Sequence, residues 1–239
     1  MKLYFICETL SSVSESVLFS TLPASRRTRI DHRPCADRIA SAASAHLLRY
    51  ALCDSGYAVY ADAPIVWEGK PHFADPAIPV WFNLSHTVDK TRGRFAVAVF
   101  LSDAGEVGVD VEFVHPIHNR EAMMRRLFTD AEWDYVLSSE REDAFFEIWC
   151  AKEAYLKWTG EGFSRPMSSV SVDLVSKTAG SEDLCCDLRW LSLGDCTVCT
   201  AGKMPSEDIF AVSVTVEDII KKTHRRGETV WNPLLYLII

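Results

Sequence analysis

The chain has 239 residues, 48% of them apolar and 24% charged, which is the composition of a folded globular protein and excludes wholesale disorder. Its 25 basic and 33 acidic residues leave a net charge of −8. That balance excludes a protein built to grip a nucleic-acid backbone, yet it leaves room for a local basic pocket. At this length one or two domains can bury a core without covalent staples. Eight cysteines in a chain longer than the usual disulfide scaffold read as reduced core residues of a cytoplasmic protein. The apolar run in residues 1–8 is too short for a signal peptide, and no run reaches the length of a membrane span, so neither a leader nor a membrane partner is expected.

In chain order, residues 3–7 alternate as an opening strand. A basic stretch with Arg26, Arg27, Arg29, Arg33 and Arg38 runs into an Ala-rich helix over 37–52, with Ile39, Ala42, Ala43, Leu47 and Leu48 as its apolar stripe and Gly56 beyond its end. Pro64, Gly69, Pro71, Pro76 and Pro79 mark loops with short extended pieces. Residues 95–100 are a continuous apolar strand. Residues 106–113 alternate, with Val107, Val109 and Val111 on one face and Gly108, Asp110 and Glu112 on the other. The turn residues at 102–105 make these two strands read as a hairpin. Thr129 and Glu132 form a capping box, and a longer helix over 141–159 carries Phe145, Phe146, Trp149, Cys150 and Leu156 before stopping at Gly160. Strands are expected at 170–174, 188–193 and 210–216, and the apolar run 234–239 reads as a core strand or a tail. Both halves open with helices and close with strands. The pattern predicts an α+β protein of two similar subdomains, 1–115 and 116–239.

Three groups of residues carry potential chemistry. Asp110 and Glu112 lie two apart on one strand, so their carboxylates share a face, with Gly108 beside them leaving room for a ligand. The pair is either a solvated strand face or a site for a hard divalent cation completed by substrate phosphates. Trp149, Glu153 and Lys157 recur at i, i+4 and i+8 on one helix face, either as a surface ion pair or as an acid and a base at the edge of a site; Lys152 serves either face. Ser85 and His86 offer a hydroxyl and an imidazole to a phosphate oxygen, with Asn83 holding a turn; a structural histidine is the alternative. Cys196 and Cys199 have zinc-knuckle spacing, but without a second pair no metal is expected there.

Taken together and in order, Asn83-Leu84-Ser85-His86, Gly108-Val109-Asp110-Val111-Glu112 and Trp149-Cys150-Ala151-Lys152-Glu153-Ala154-Tyr155-Leu156-Lys157 resemble the 4′-phosphopantetheinyl transferase superfamily, of the surfactin-synthetase-activating (Sfp) type. Gly69-Lys70-Pro71 and the arginine-rich opening extend the resemblance upstream. The resemblance implies two α+β halves in a pseudo-twofold arrangement with the active site in the cleft between them. It implies Mg²⁺-dependent transfer of the 4′-phosphopantetheine group of coenzyme A to a serine of an acyl or peptidyl carrier domain, with release of adenosine 3′,5′-bisphosphate. Asp110, Glu112 and Glu153 would hold the metal, and Glu153 could also take the serine proton. Lys157 would meet the pyrophosphate, and Ser85 and His86 the 3′-phosphate side of coenzyme A, with Lys70 near the nucleotide. Several arginines compete for the 3′-phosphate, Arg33 and Arg38 being favoured, and Ser41 fits a small position facing the ligand. The basic cluster Lys221, Lys222, His224, Arg225 and Arg226 reads as a solvated turn, or as a dock for an acidic carrier domain. A monomer is expected. The alternatives are a metal-dependent nucleotide pyrophosphatase or phosphodiesterase on the same acids, and a non-catalytic coenzyme A-binding module.

Overall fold

A computed structural model describes residues 1–181, 184–204 and 209–224. In chain order the elements are β1 (Lys2–Thr9), α1 (Glu15–Ser20), α2 (Ala24–Ile30), α3 (Cys35–Asp54), β2 (Ile65–Val66), β3 (His72–Phe73), β4 (Trp81–Asp89), β5 (Arg94–Ser102) and β6 (Val107–Phe113). There follow α4 (Arg120–Leu127), α5 (Asp130–Ser138), α6 (Ala144–Thr159), β7 (Ser171–Asp173), β8 (Thr178–Ser181), β9 (Leu184–Leu193), β10 (Cys196–Gly202), β11 (Phe210–Ser213) and α7 (Val216–His224). The fold is α+β, as expected. Arg225, Arg226 and the run 234–239 lie outside the described residues.

Two sheets carry the architecture. The first has the order β11-β1-β5-β4 and the second β6-β10-β9-β8-β7. Strand β5 is an unbroken apolar run because both its faces are covered. Phe95, Val97, Val99 and Leu101 pack with Ile39, Ala43 and Leu47 of α3. Ala96, Ala98 and Phe100 meet Val107, Val109 and Val111 of β6 and Val198 of β10. On the far side of the second sheet, Leu188, Cys199 and Ala201 pack against Cys150, Ala151 and Ala154 of α6. The layers therefore run α3, first sheet, second sheet, α6, each strand being read by its period-two alternation.

The expected hairpin of β5 with β6 is not formed. Strand β5 pairs with β1 and β4, whereas β6 pairs with β10 in the other sheet. The turn at 102–105 was legible, but it passes the chain from one sheet to the next. The segment around Asn83, read as a turn, is the edge strand β4, and Asn83 is buried within it. The division expected at 115/116 falls just after β6, which already belongs to the second sheet, while β11 returns to the first as a parallel neighbour of β1. Cys196 and Cys199, three apart on β10, face opposite sides of the second sheet and join different core clusters.

The capping box of α5 forms both its bonds, and Glu132 does more than cap. Its Oε2 accepts the Thr129 N–H at 2.7 Å and lies 2.7 Å from Lys152 Nζ, while its Oε1 accepts the Val172 N–H at 2.8 Å. Lys152 is fully buried and also donates to the carbonyls of Met167 and Val170, at 3.2 and 2.6 Å. It is a structural lysine tying α6 to α5 and to the segment before β7, not a member of the site. Removing one partner of a buried pair strands the other charge. Glu132→Ala should therefore cost roughly 3–5 kcal/mol by chemical denaturation.

Candidate active site

The edge strands of the two sheets, β4 and β6, lie side by side, and side chains span the gap. Residues 83, 85 and 87 share one face of β4. Asn83 Oδ1 accepts the Val109 N–H at 2.9 Å. Ser85 Oγ donates to Asp110 Oδ1 at 2.9 Å, and Thr87 Oγ1 to Glu112 Oε2 at 2.7 Å. Each acid of β6 is thus held by a hydroxyl from the neighbouring strand.

Helix α6 closes the site from the other side. A Cβ on Gly108 would stand 2.0 Å from the Ala154 carbonyl oxygen and 2.6 Å from the Trp158 nitrogen. The glycine, expected to leave room for a ligand, leaves room for the helix backbone. Glu153 and Lys157 flank that contact, and Lys157 Nζ donates to Asp110 Oδ1 at 2.6 Å and Ser85 Oγ at 2.8 Å. The structure therefore brings Ser85, Asp110 and Lys157 into one hydrogen-bonded triangle.

This lysine faces three carboxylates. Burial pushes Glu112 up to about 7, helped by the charge on Asp110. Burial and then Asp110 also raise Glu153. Burial works against the charge on Lys157, but Asp110, Glu153 and Glu112 outweigh it and hold the ammonium above its ordinary range. Asp110 Oδ2 is buried with no hydrogen-bond partner. An orphaned carboxylate oxygen and two acids pushed toward protonation mark a site short of positive charge. Asp110, Glu112 and Glu153 do not bring their carboxylate oxygens all within 4.8 Å of one another. The donor set of hard oxygens fits a magnesium ion.

A cationic pocket adjoins this site at α3. Arg33 Nη1 donates to Ser41 Oγ at 3.2 Å, and Ser41 Oγ lies 3.3 Å from His86 Nε2. Arg26 reaches the Ser41 carbonyl at 3.4 Å and stacks over Trp67, 3.9 Å from the ring centre. Burial, with Arg33 and Arg29 nearby, depresses Arg26 to about 10, and its Nε is buried without a partner. His86 is lowered to about 4 by burial, then by Lys157, Arg33 and Arg26. It is therefore neutral at physiological pH. A cluster of under-neutralised cations of this kind suits a phosphate.

The favoured arginines part company. Arg33 lies in this pocket, but Arg38 is paired with Glu15 at 2.7 Å and donates to the carbonyls of Asp31 and Arg33, at 3.3 and 2.9 Å. Its charge is already balanced, whereas Arg26 lies in the pocket with Arg33. Lys70 bonds to Glu106 and donates to the Trp158 carbonyl at 2.9 Å, at the C-terminal end of α6. Thr87 was not singled out from the sequence, although its period-two spacing from Ser85 was the available signal.

Residues 106–195 match the family model described as 4′-phosphopantetheinyl transferase superfamily. The chain is 38% identical over 133 residues to the 4′-phosphopantetheinyl transferase AcpT of Escherichia coli K12, covering 54% of this chain and 63% of that one. It is 34% identical over 110 residues to the 4′-phosphopantetheinyl transferase Sfp of Bacillus subtilis, covering 44% of each chain. The chain spans less than two thirds of the length of these curated relatives. The resemblance read from the motifs is borne out, and the relatives are named as transferases. No helix among the described residues is long and apolar enough to cross a membrane.

Two measurements check this geometry. Gly108→Ala should lower stability by about 3 kcal/mol in a denaturant titration, because the contact is with helix backbone that cannot rotate away. His86 gives a pH signature. Its folded pKa of about 4 lies below the ordinary 6.5, so unfolding takes up a proton as pH falls from 6.5 toward 4. The stability of wild type relative to His86→Gln should fall by about 3 kcal/mol across that window and stay level above it.

Proposed function

We propose that the protein transfers the 4′-phosphopantetheine group of coenzyme A to a serine of an acyl or peptidyl carrier domain, with Mg²⁺ and with release of adenosine 3′,5′-bisphosphate. The observation that carries this reading is the pairing of a cation-seeking acid cluster with a separate cationic pocket on one seam of the fold. Coenzyme A has matching parts, a pyrophosphate that binds a metal and a 3′-phosphate that needs arginine.

In this reading Arg26, Arg33 and neutral His86 hold the 3′-phosphate, with Ser41 orienting the imidazole. Asp110, Glu112 and Glu153 hold Mg²⁺, which, when bound, neutralises pyrophosphate charge and polarises the phosphorus to be attacked. Lys157 meets the leaving pyrophosphate oxygen and offsets the charge that builds there. The carrier serine Oγ bonds to the phosphorus bearing pantetheine, and the bond from that phosphorus to the oxygen of adenosine bisphosphate breaks. Glu153, the acid on the helix, takes the serine proton.

Incubation with coenzyme A, Mg²⁺ and an apo carrier domain, read by mass spectrometry, tests the reading. A phosphopantetheine adduct on the serine is expected. Hydrolysis alone would mark a pyrophosphatase, and binding without turnover a coenzyme A-binding module. Asp110→Ala and Glu153→Ala should each abolish most transfer, Glu112→Ala less. Lys157→Ala should depress kcat about 100-fold, since it acts on developing charge. His86→Ala should raise the KM for coenzyme A with kcat largely kept, and should lose much of the preference over dephospho-coenzyme A.

A further inference from the structure

A second chemical cluster lies away from this site, between the sheets. Cys7 near the end of β1, Cys196 at the start of β10 and Asp195 bring their sulfur and oxygen atoms within 4.8 Å of one another. Cys7 is half-buried and Cys196 buried, both in the core layer shared by the two sheets. Arg94 Nη2 donates to Cys7 Sγ at 3.0 Å and Nη1 to Asp195 Oδ2 at 2.6 Å, while Arg92 reaches the same oxygen at 3.2 Å. Two thiols and a carboxylate could ligate zinc. Here, however, one guanidinium stands on the sulfur and two on the carboxylate, so a cation would meet two positive charges. The same charges favour a thiolate. The hydrogen bond from Cys196, with Arg94 beside it, draws Cys7 down to about 7.

We propose that Cys7 and Cys196 are a redox-active dithiol that closes to a disulfide joining the two sheets, with Cys7 the attacking thiolate and Cys196 the resolving thiol. The oxidant is a small-molecule disulfide. The Cys7 thiolate bonds to one of its sulfurs, the oxidant's S–S bond breaks and one thiolate leaves. Cys196 gives its proton to that thiolate and attacks Cys7 Sγ, expelling the second thiolate. Two electrons pass from the protein sulfurs to the oxidant, which ends as one thiol and one thiolate, the thiolate taking from water the proton that Cys7 had released. The link ties β1 of the first sheet to β10 of the second, at the end of β10 paired with Phe113, three residues along from Cys199 opposite Asp110.

The test is the full chain treated with glutathione disulfide, followed by non-reducing peptide mapping and thermal unfolding. A Cys7–Cys196 peptide, reversed by dithiothreitol and accompanied by a raised Tm, is expected. Cys196→Ser should stop at a glutathione adduct on Cys7, and Cys7→Ser should give no link. Arg94→Gln should slow alkylation of Cys7 by iodoacetamide about tenfold at pH 7. If Cys196→Ser does not fold, the wild-type map and Arg94→Gln still decide. Reaction confined to the exposed Cys35 and Cys185 would overturn the proposal, as would one zinc per chain shielding both thiols.

Discussion

The carbonyl oxygen of Ala154 stands where a side chain at position 108 would have to begin, and the rest of the site depends on that contact. Only glycine lets the backbone of α6 settle onto β6. Once settled, the helix repeat sets Glu153 and Lys157 on either side of the contact, and the strand repeat sets Asp110 and Glu112 beside it. Four charged side chains from two elements converge because one position has no Cβ.

The opposite wall follows from a second constraint. Strands β4 and β6 are edges of different sheets and share no ladder, so polar side chains bridge them instead. Asn83 accepts from a backbone N–H of β6, and Ser85 and Thr87 each donate to one of its carboxylates. The seam remains short of positive charge, with Lys157 alone against three acids, while Arg26 and Arg33 on the α3 side remain short of negative charge. This separation of unmatched charges is what a ligand carrying both a metal-bound pyrophosphate and a distant phosphate would resolve.

Much of this was legible in the residues. Alternation along 106–113 placed Asp110 and Glu112 on one face, helical spacing placed Glu153 with Lys157, and the capping box at Thr129 stands as read. What failed was long-range pairing. The turn signal at 102–105 looked like a hairpin because local residues do not record which sheet a strand joins. Gly108 was seen as space, but the occupant was a helix 46 residues on, and Lys152, read as serving either face of its helix, turns inward to Glu132. Arg38 was preferred to Arg26 because a sequence shows charges but not which of them are already paired, and the structure pairs Arg38 with Glu15.

The central claim is that acids from β6 and α6 form a single cation site. Mn²⁺, used as a spectroscopic stand-in for Mg²⁺, tests it by electron paramagnetic resonance titration of the full chain in the presence of coenzyme A. The account predicts one bound ion per chain, weakened at least about tenfold by Asp110→Asn and by Glu153→Gln, and unchanged by Glu142→Gln on the exposed surface. Binding indifferent to Asp110→Asn and Glu153→Gln would contradict it.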